Sequence, residues 1–163
     1  MKRFHALAFA GLLCTLGAAE AQLKMPGPAT APQLPAPTDT QTKEAQAAQA
    51  AKELAARAAA EKWLAIVDAG DYGKAWDQCA KAFRKNVTRE RWVESLPKTR
   101  GALGAVKSRT IEVSSFKSSL PGMPEGDYVT VRFSTNFEKK ADAQEIVTLV
   151  FEDGAWRPLG YGV

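Results

Sequence analysis

The chain has 163 residues, a formal charge of +4, one histidine and two cysteines. Such mild basicity implies no particular partner and gives no sign of a nucleic-acid surface. His5 and Cys14 both lie in the first 21 residues, so a chain that loses them keeps no imidazole and a single thiol, Cys79. That excludes Ser-His-Asp and Cys-His nucleophilic sites, the usual zinc and copper ligand sets and any intramolecular disulfide. No metal or cofactor is expected.

Residues 1–21 read as an address. Met1-Lys2-Arg3 supplies a positive start, Ala6 to Leu16 an apolar run, and Ala19-Glu20-Ala21 small residues flanking a cleavage site before Gln22. The apolar run is too short to span a bilayer, and Leu13 ahead of Cys14 speaks against lipidation. The expectation is a periplasmic or secreted protein with no membrane insertion after signal removal. From 22 to 43 the chain carries Pro26, Pro28, Pro32, Pro35 and Pro37 with few large apolar residues. It reads as a disordered proline-rich linker.

The remaining segment, 44–163, reads as a single domain. Glu44 to Asp68 is rich in alanine and other strong helix formers. Its apolar weight gathers late, where Ala56, Ala59 or Ala60, Trp63, Ile66 and Val67 share one face. Gly70 is placed for a left-handed C-cap, and Asp71 can cap a second helix presenting Tyr72, Ala75, Trp76, Cys79 and Phe83. Thr88 can cap a third, with Trp92, Val93 and Leu96 inward. Pro97 should end or kink it, because proline removes a donor and crowds the preceding turn.

Strands follow. Val106 to Phe116 places Arg109, Ile111 and Val113 on one face, and Ser118 to Asp127 is a turn-rich loop. From Tyr128 to Phe137, Val129, Val131, Phe133 and Phe137 fall on one face and Tyr128, Thr130, Arg132, Ser134 and Asn136 on the other. Glu145 to Phe151 leads into Asp153-Gly154, a strong hairpin signal. That turn pairs Phe151 with Trp156, Val150 with Arg157, Thr148 with Leu159 and Ile146 with Tyr161. Phe151, Trp156, Leu149 and Val147 then face the helices, leaving Ile146, Val150, Leu159 and Tyr161 on an outer face too apolar for free solvation. Two readings stay open. Either this face is an interface for a second copy or another envelope protein, or a bulge tucks these residues into the core. The fold class is α+β: about three helices on one face of a curved four-stranded antiparallel sheet.

Trp63-Leu64, Val67-Asp68-Ala69-Gly70-Asp71-Tyr72, Trp76, Trp92, Arg100 and Arg109 occur in an ordered spacing. Leu120-Pro121-Gly122, Pro124, Gly126, Tyr128 and Phe137 continue it, as do Glu145, Val147-Thr148-Leu149, Gly154, Trp156-Arg157 and Gly160-Tyr161. This pattern resembles a family of exported bacterial proteins, domain of unknown function 4019, over roughly Ala45 to Val163. The resemblance brings no established activity and no catalytic residues. The element order also looks like the cone-shaped fold of nuclear transport factor 2 and SnoaL-type proteins, which hosts enzymes and plain binding domains alike.

In such a cone, polar groups between helices and sheet form the natural site. Arg100 and Arg109 are the first candidates for a ligand carboxylate or phosphate; the alternative is a structural ion pair with Asp68, Asp71 or Asp77. Tyr72 and Trp76, with Trp63 and Trp92, either line an aromatic pocket or belong to the core. Cys79 reads as an inert core thiol. The favoured function is a non-catalytic module that binds a small ligand or a protein. Its rival is a SnoaL-type enzyme that uses a buried carboxylate for proton transfer. The rival needs an acidic residue facing the cavity without an arginine partner, and Asp68 and Asp77 read as helix-surface residues.

Overall fold

The structure, a computed structural model, describes residues 39–163. The expected signal segment and residues 22–38 of the expected linker lie outside the described residues. Four helices, α1 (Asp39–Asp68), α2 (Tyr72–Asp77), α3 (Lys81–Asn86) and α4 (Arg89–Leu103), precede four strands. These are β1 (Val106–Lys117), β2 (Tyr128–Phe137), β3 (Ala143–Glu152) and β4 (Ala155–Gly162). The strands form an open antiparallel meander in the order β1-β2-β3-β4. The α+β arrangement read from the sequence is the observed one.

Helix α1 begins at Asp39, ahead of the expected Glu44, and its first turns are exposed as far as Ala51. Its later half buries Ala56, Ala60, Trp63, Leu64 and Val67 against Val129, Val131, Phe133, Val147 and Leu149 of the sheet. Full burial of Leu64 or Val67 contributes about 1.5–3 kcal/mol each. Leu64 lies deeper than the expected Ile66, so the buried face is rotated toward it. A Schellman motif ends the helix: Gly70 N–H donates to the Val67 carbonyl at 3.0 Å and Asp71 N–H to that of Ile66 at 3.2 Å. Gly70 takes φ +78°, the left-handed conformation this closure requires.

The expected second helix is two short ones. Between them Ala80 turns its N–H to the Pro158 carbonyl at 2.8 Å, so the chain leaves the helix to join β4. Asp71 caps α2 and Thr88 caps α4, as read, each through an acceptor side chain. Pro97 does not end α4, which runs on to Leu103. The carbonyl that proline deprives of a partner belongs to Val93, on the solvent side of the helix. Val93 itself is 38% exposed, not inward as expected. The buried stripe is Trp92, Leu96 and Arg100, at i, i+4 and i+8.

Two bulges change which residues face the helices. A register shift between Ile111 and Val113 sends Val113 to the outer face, and Ser114 and Phe116 take the inward positions. In the last hairpin Phe151–Trp156 and Val150–Arg157 pair as expected, but a shift follows. Thr148 then meets Gly160, Ile146 meets Gly162 and Val147 meets Tyr161. Tyr161 therefore turns inward beside Trp63, at 5.5 Å between ring centroids. Phe151 sits at the margin, 46% exposed. Tyr128, placed by alternation among polar residues, is buried beneath the 118–127 loop and donates to the Pro124 carbonyl at 2.7 Å.

Candidate functional site

Three elements converge where α1 ends. The α4 stripe that buries Trp92 and Leu96 carries Arg100 inward as well. Before its bulge, β1 points Arg109 to the helix side with Ile111. Alternation on β3 puts Glu145 on the inner face with Val147 and Leu149, where it is wholly buried (0% exposed).

A buried carboxylate must be paired and hydrogen-bonded to be tolerated. Glu145 Oε1 accepts from Arg100 Nη1 at 2.8 Å and from the Tyr161 hydroxyl at 2.7 Å. Its Oε2 accepts from Arg109 Nε and the Thr135 hydroxyl, both at 2.6 Å. Arg109 also grips Asp68 through Nη1 at 2.7 Å and Nη2 at 3.0 Å, and Arg100 Nη2 reaches the same carboxylate. The Arg100 guanidinium lies over the Phe137 ring, 4.6 Å from its centroid. Two cations and two anions balance within this network.

Electrostatics follow from the packing. Burial alone would lower the Arg109 pKa, but the hydrogen bonds and charges of Asp68 and Glu145 outweigh it and raise it. Burial pushes the Tyr161 phenol upward, and the Glu145 charge and hydrogen bond add to that against a weaker opposing pull from Arg100. Its proton stays on the oxygen and is donated to Glu145.

Beside the network an open groove of about 560 Å³ runs between α1, α4 and β1. Val67, Asp68, Tyr72, Arg100 and Gly101 line it, with Gly104 to Val106 on the far side. Gly104, at φ +80°, packs so closely on Glu138 that a Cβ there would lie 2.9 Å from its Cβ. The turn is pinned further by Glu138 N–H on the Ala105 carbonyl at 2.8 Å and Lys139 N–H on that of Leu103 at 2.9 Å. The Tyr72 hydroxyl makes no hydrogen bond among the described residues.

Of the residues singled out from sequence, Arg100, Arg109 and Tyr72 come together here. Trp76 does not: its indole donates to the Val87 carbonyl at 2.8 Å, packed against the core. Asp68, read as a helix-surface residue, is a central member of the network. Asp71 is spent on the α2 cap and Asp77 pairs with Arg89 at 3.4 Å. Sequence reasoning missed Glu145, Thr135 and the inward Tyr161. The alternation of Glu145, Val147 and Leu149 was the available signal for the first. On the outer face Ile146 and Val150 stay as expected, and Val113 joins them, but Tyr161 has left. Thr130, Thr148 and Arg132 are interleaved there, Thr130 and Thr148 sharing a hydroxyl hydrogen bond at 3.2 Å.

Cys79 is buried and donates to the Ala75 carbonyl at 3.3 Å, and burial pushes its thiol pKa up to about 12. Among the described residues no group of three or more His, Cys, Asp or Glu gathers as a metal site. No helix among them is long and apolar enough to cross a membrane.

Fold and site together define a small α+β domain with a charge-balanced arginine–carboxylate network, two of whose members, Asp68 and Arg100, line an open groove. Residues 59–161 match the family described as "Protein of unknown function (DUF4019)", and the chain belongs to that family. Comparison with curated proteins finds no match.

Proposed function

We propose that this protein is a non-catalytic binding module acting outside the cytoplasm, and that the groove beside Tyr72 holds its ligand. The observation that carries this reading is the saturation of Glu145. A carboxylate offers about four lone-pair positions, and two guanidinium and two hydroxyl donors occupy them. A general base needs a free acceptor within reach of the proton it removes; Glu145 has none to offer. The Tyr161 phenol and the Cys79 thiol are both pushed away from reactivity. Of the network, Asp68 and Arg100 line the groove, each held by ion pairs, an arrangement suited to holding a molecule. The extracytoplasmic part of the proposal rests on residues 1–21.

Gly101 makes the groove testable. It lines the groove on α4, and a Cβ added there meets nothing within 4 Å. Leucine favours a helix over glycine, so Gly101→Leu fills the groove without disturbing the fold. Native mass spectrometry of the exported protein is expected to show a small bound mass in the parent chain and its loss in Gly101→Leu. A bare mass in both, across several growth conditions, sinks the proposal.

A further inference from the structure

We infer that the groove recognises a neutral, hydroxyl-bearing ligand of the saccharide class, and not the carboxylate or phosphate that two arginines first suggest. This rests on the groove being the ligand site. The reason is charge balance. An unpaired arginine fork attracts anions, but both forks here are already committed to carboxylates, Arg100 to Glu145 and Asp68, Arg109 to the same two. An incoming anion would meet Asp68, which lines the groove and keeps a quarter of its side chain exposed. Like charges are repelled, and no net positive charge in the network compensates.

The hydrogen-bonding capacity left over is of both kinds. Asp68 Oδ1 accepts from both arginines, and Oδ2 accepts from Arg109 Nη1 alone. Of about four lone-pair positions on that carboxylate, roughly one remains, on Oδ2. Arg100 has five N–H groups, of which Nη1 serves Glu145 and Tyr161 and Nη2 serves Asp68 Oδ1, so donor capacity remains on a guanidinium that also lines the groove. An acceptor and a donor lining one groove match the hydroxyls of a vicinal diol, each of which donates and accepts. Tyr72 adds an aromatic ring, and a hydroxyl with no hydrogen bond among the described residues, on the groove wall. A ring with an apolar face and a polar rim suits both. Gly101, Gly104 and Ala105 keep the space open for it.

The test is a titration followed by nuclear magnetic resonance, reading the backbone amides of Tyr72 and Gly101. The probes are glucose and N-acetylglucosamine, set against glucuronate and glucose 6-phosphate. The neutral sugars are expected to give saturable shifts, and the anions to bind at least about tenfold more weakly. Asp68→Asn leaves the network with one excess positive charge and should reverse that order. Loss of fold in that variant would show in the remaining amides, and Tyr72→Phe then serves instead, weakening the neutral sugars without altering charge. Tighter binding of the anions to the parent protein overturns the inference and leaves the binding module standing. Absence of any shift overturns it too. If Gly101→Leu still removes a bound mass, only the ligand class has failed; if no mass is ever bound, both readings fall.

Discussion

Arg109 closes on Asp68 with both terminal nitrogens, at 2.7 and 3.0 Å, joining the end of α1 to the first strand. The same guanidinium turns its Nε to Glu145, so one side chain bridges an exposed carboxylate and a buried one. Their costs of removal differ. Deleting one member of a buried ion pair leaves its partner uncompensated, typically at about 3–5 kcal/mol. Glu145→Ala should reach that range in urea unfolding. Asp68→Ala should cost distinctly less, because water can replace a partly exposed acceptor. Equal losses would contradict the assignment of Glu145 as the centre of the network.

Alkaline pH should loosen the domain through Tyr161. Its folded pKa is raised, chiefly by burial and then by Glu145. A group of this kind contributes stability that is complete below the unfolded value, about 10, and is lost as pH rises toward the folded one. The unfolding midpoint should therefore be flat through neutrality and fall above about pH 10. Tyr161→Phe should start less stable and fall less steeply. An unchanged slope in that variant would assign the alkaline loss to another group.

Acid acts at the middle of α1. Glu53 accepts from Ser114 Oγ at 2.7 Å and from the Phe116 N–H at 3.1 Å, tying the helix to β1. Burial works to raise its pKa, but those bonds, one from Gln49 and the charge of Arg57 together lower it. Its contribution is present above the unfolded value, about 4.3, and is lost as pH falls through the folded one. Glu53→Gln should flatten the acid limb of a stability–pH curve. A limb of undiminished slope would count against this tie.

Two glycines should respond with opposite signs. Gly70 has open space around it but sits at φ +78°, so Gly70→Ala meets only backbone strain and should cost about 1 kcal/mol. Gly101 lies within α4 with equally open surroundings. Gly101→Ala should stabilise by up to about 1 kcal/mol. Thermal unfolding of the pair settles both.

Cys79 should react with a disulfide reagent only as fast as the domain opens. Its thiol is buried, hydrogen-bonded to Ala75 and raised to about 12, so little thiolate exists at neutral pH. Modification that proceeds rapidly in the absence of denaturant would show a local opening around α2.

Much of this site was legible from residue order, and the remainder was hidden for definite reasons. Strand alternation brought Arg109 inward, Arg100 stood beside it as a candidate, and the ion-pair alternative named Asp68. Glu145 shared the alternation of Val147 and Leu149, but a charge at a core position argues against burial until its partners are known, and those partners lie on four other elements. Tyr161 was assigned to the wrong face because a bulge beyond Pro158 shifts the pairing. Val113 went astray at the bulge after Ile111. One inserted residue flips every later side chain, and neither bulge carries a distinctive local pattern. The split of the second helix depends on a hydrogen bond to β4 that no local pattern announces.

Glu145 also has a bearing on when the domain can form. Its donors come from α4, β1, β2 and β4, and the β4 donor, Tyr161, follows the other three in chain order. Synthesis delivers the helices first and that hydroxyl last. Until it arrives, the carboxylate lacks one of its donors and the sheet lacks its final strand. The sheet and the network around Glu145 are therefore completed together, by the arrival of β4.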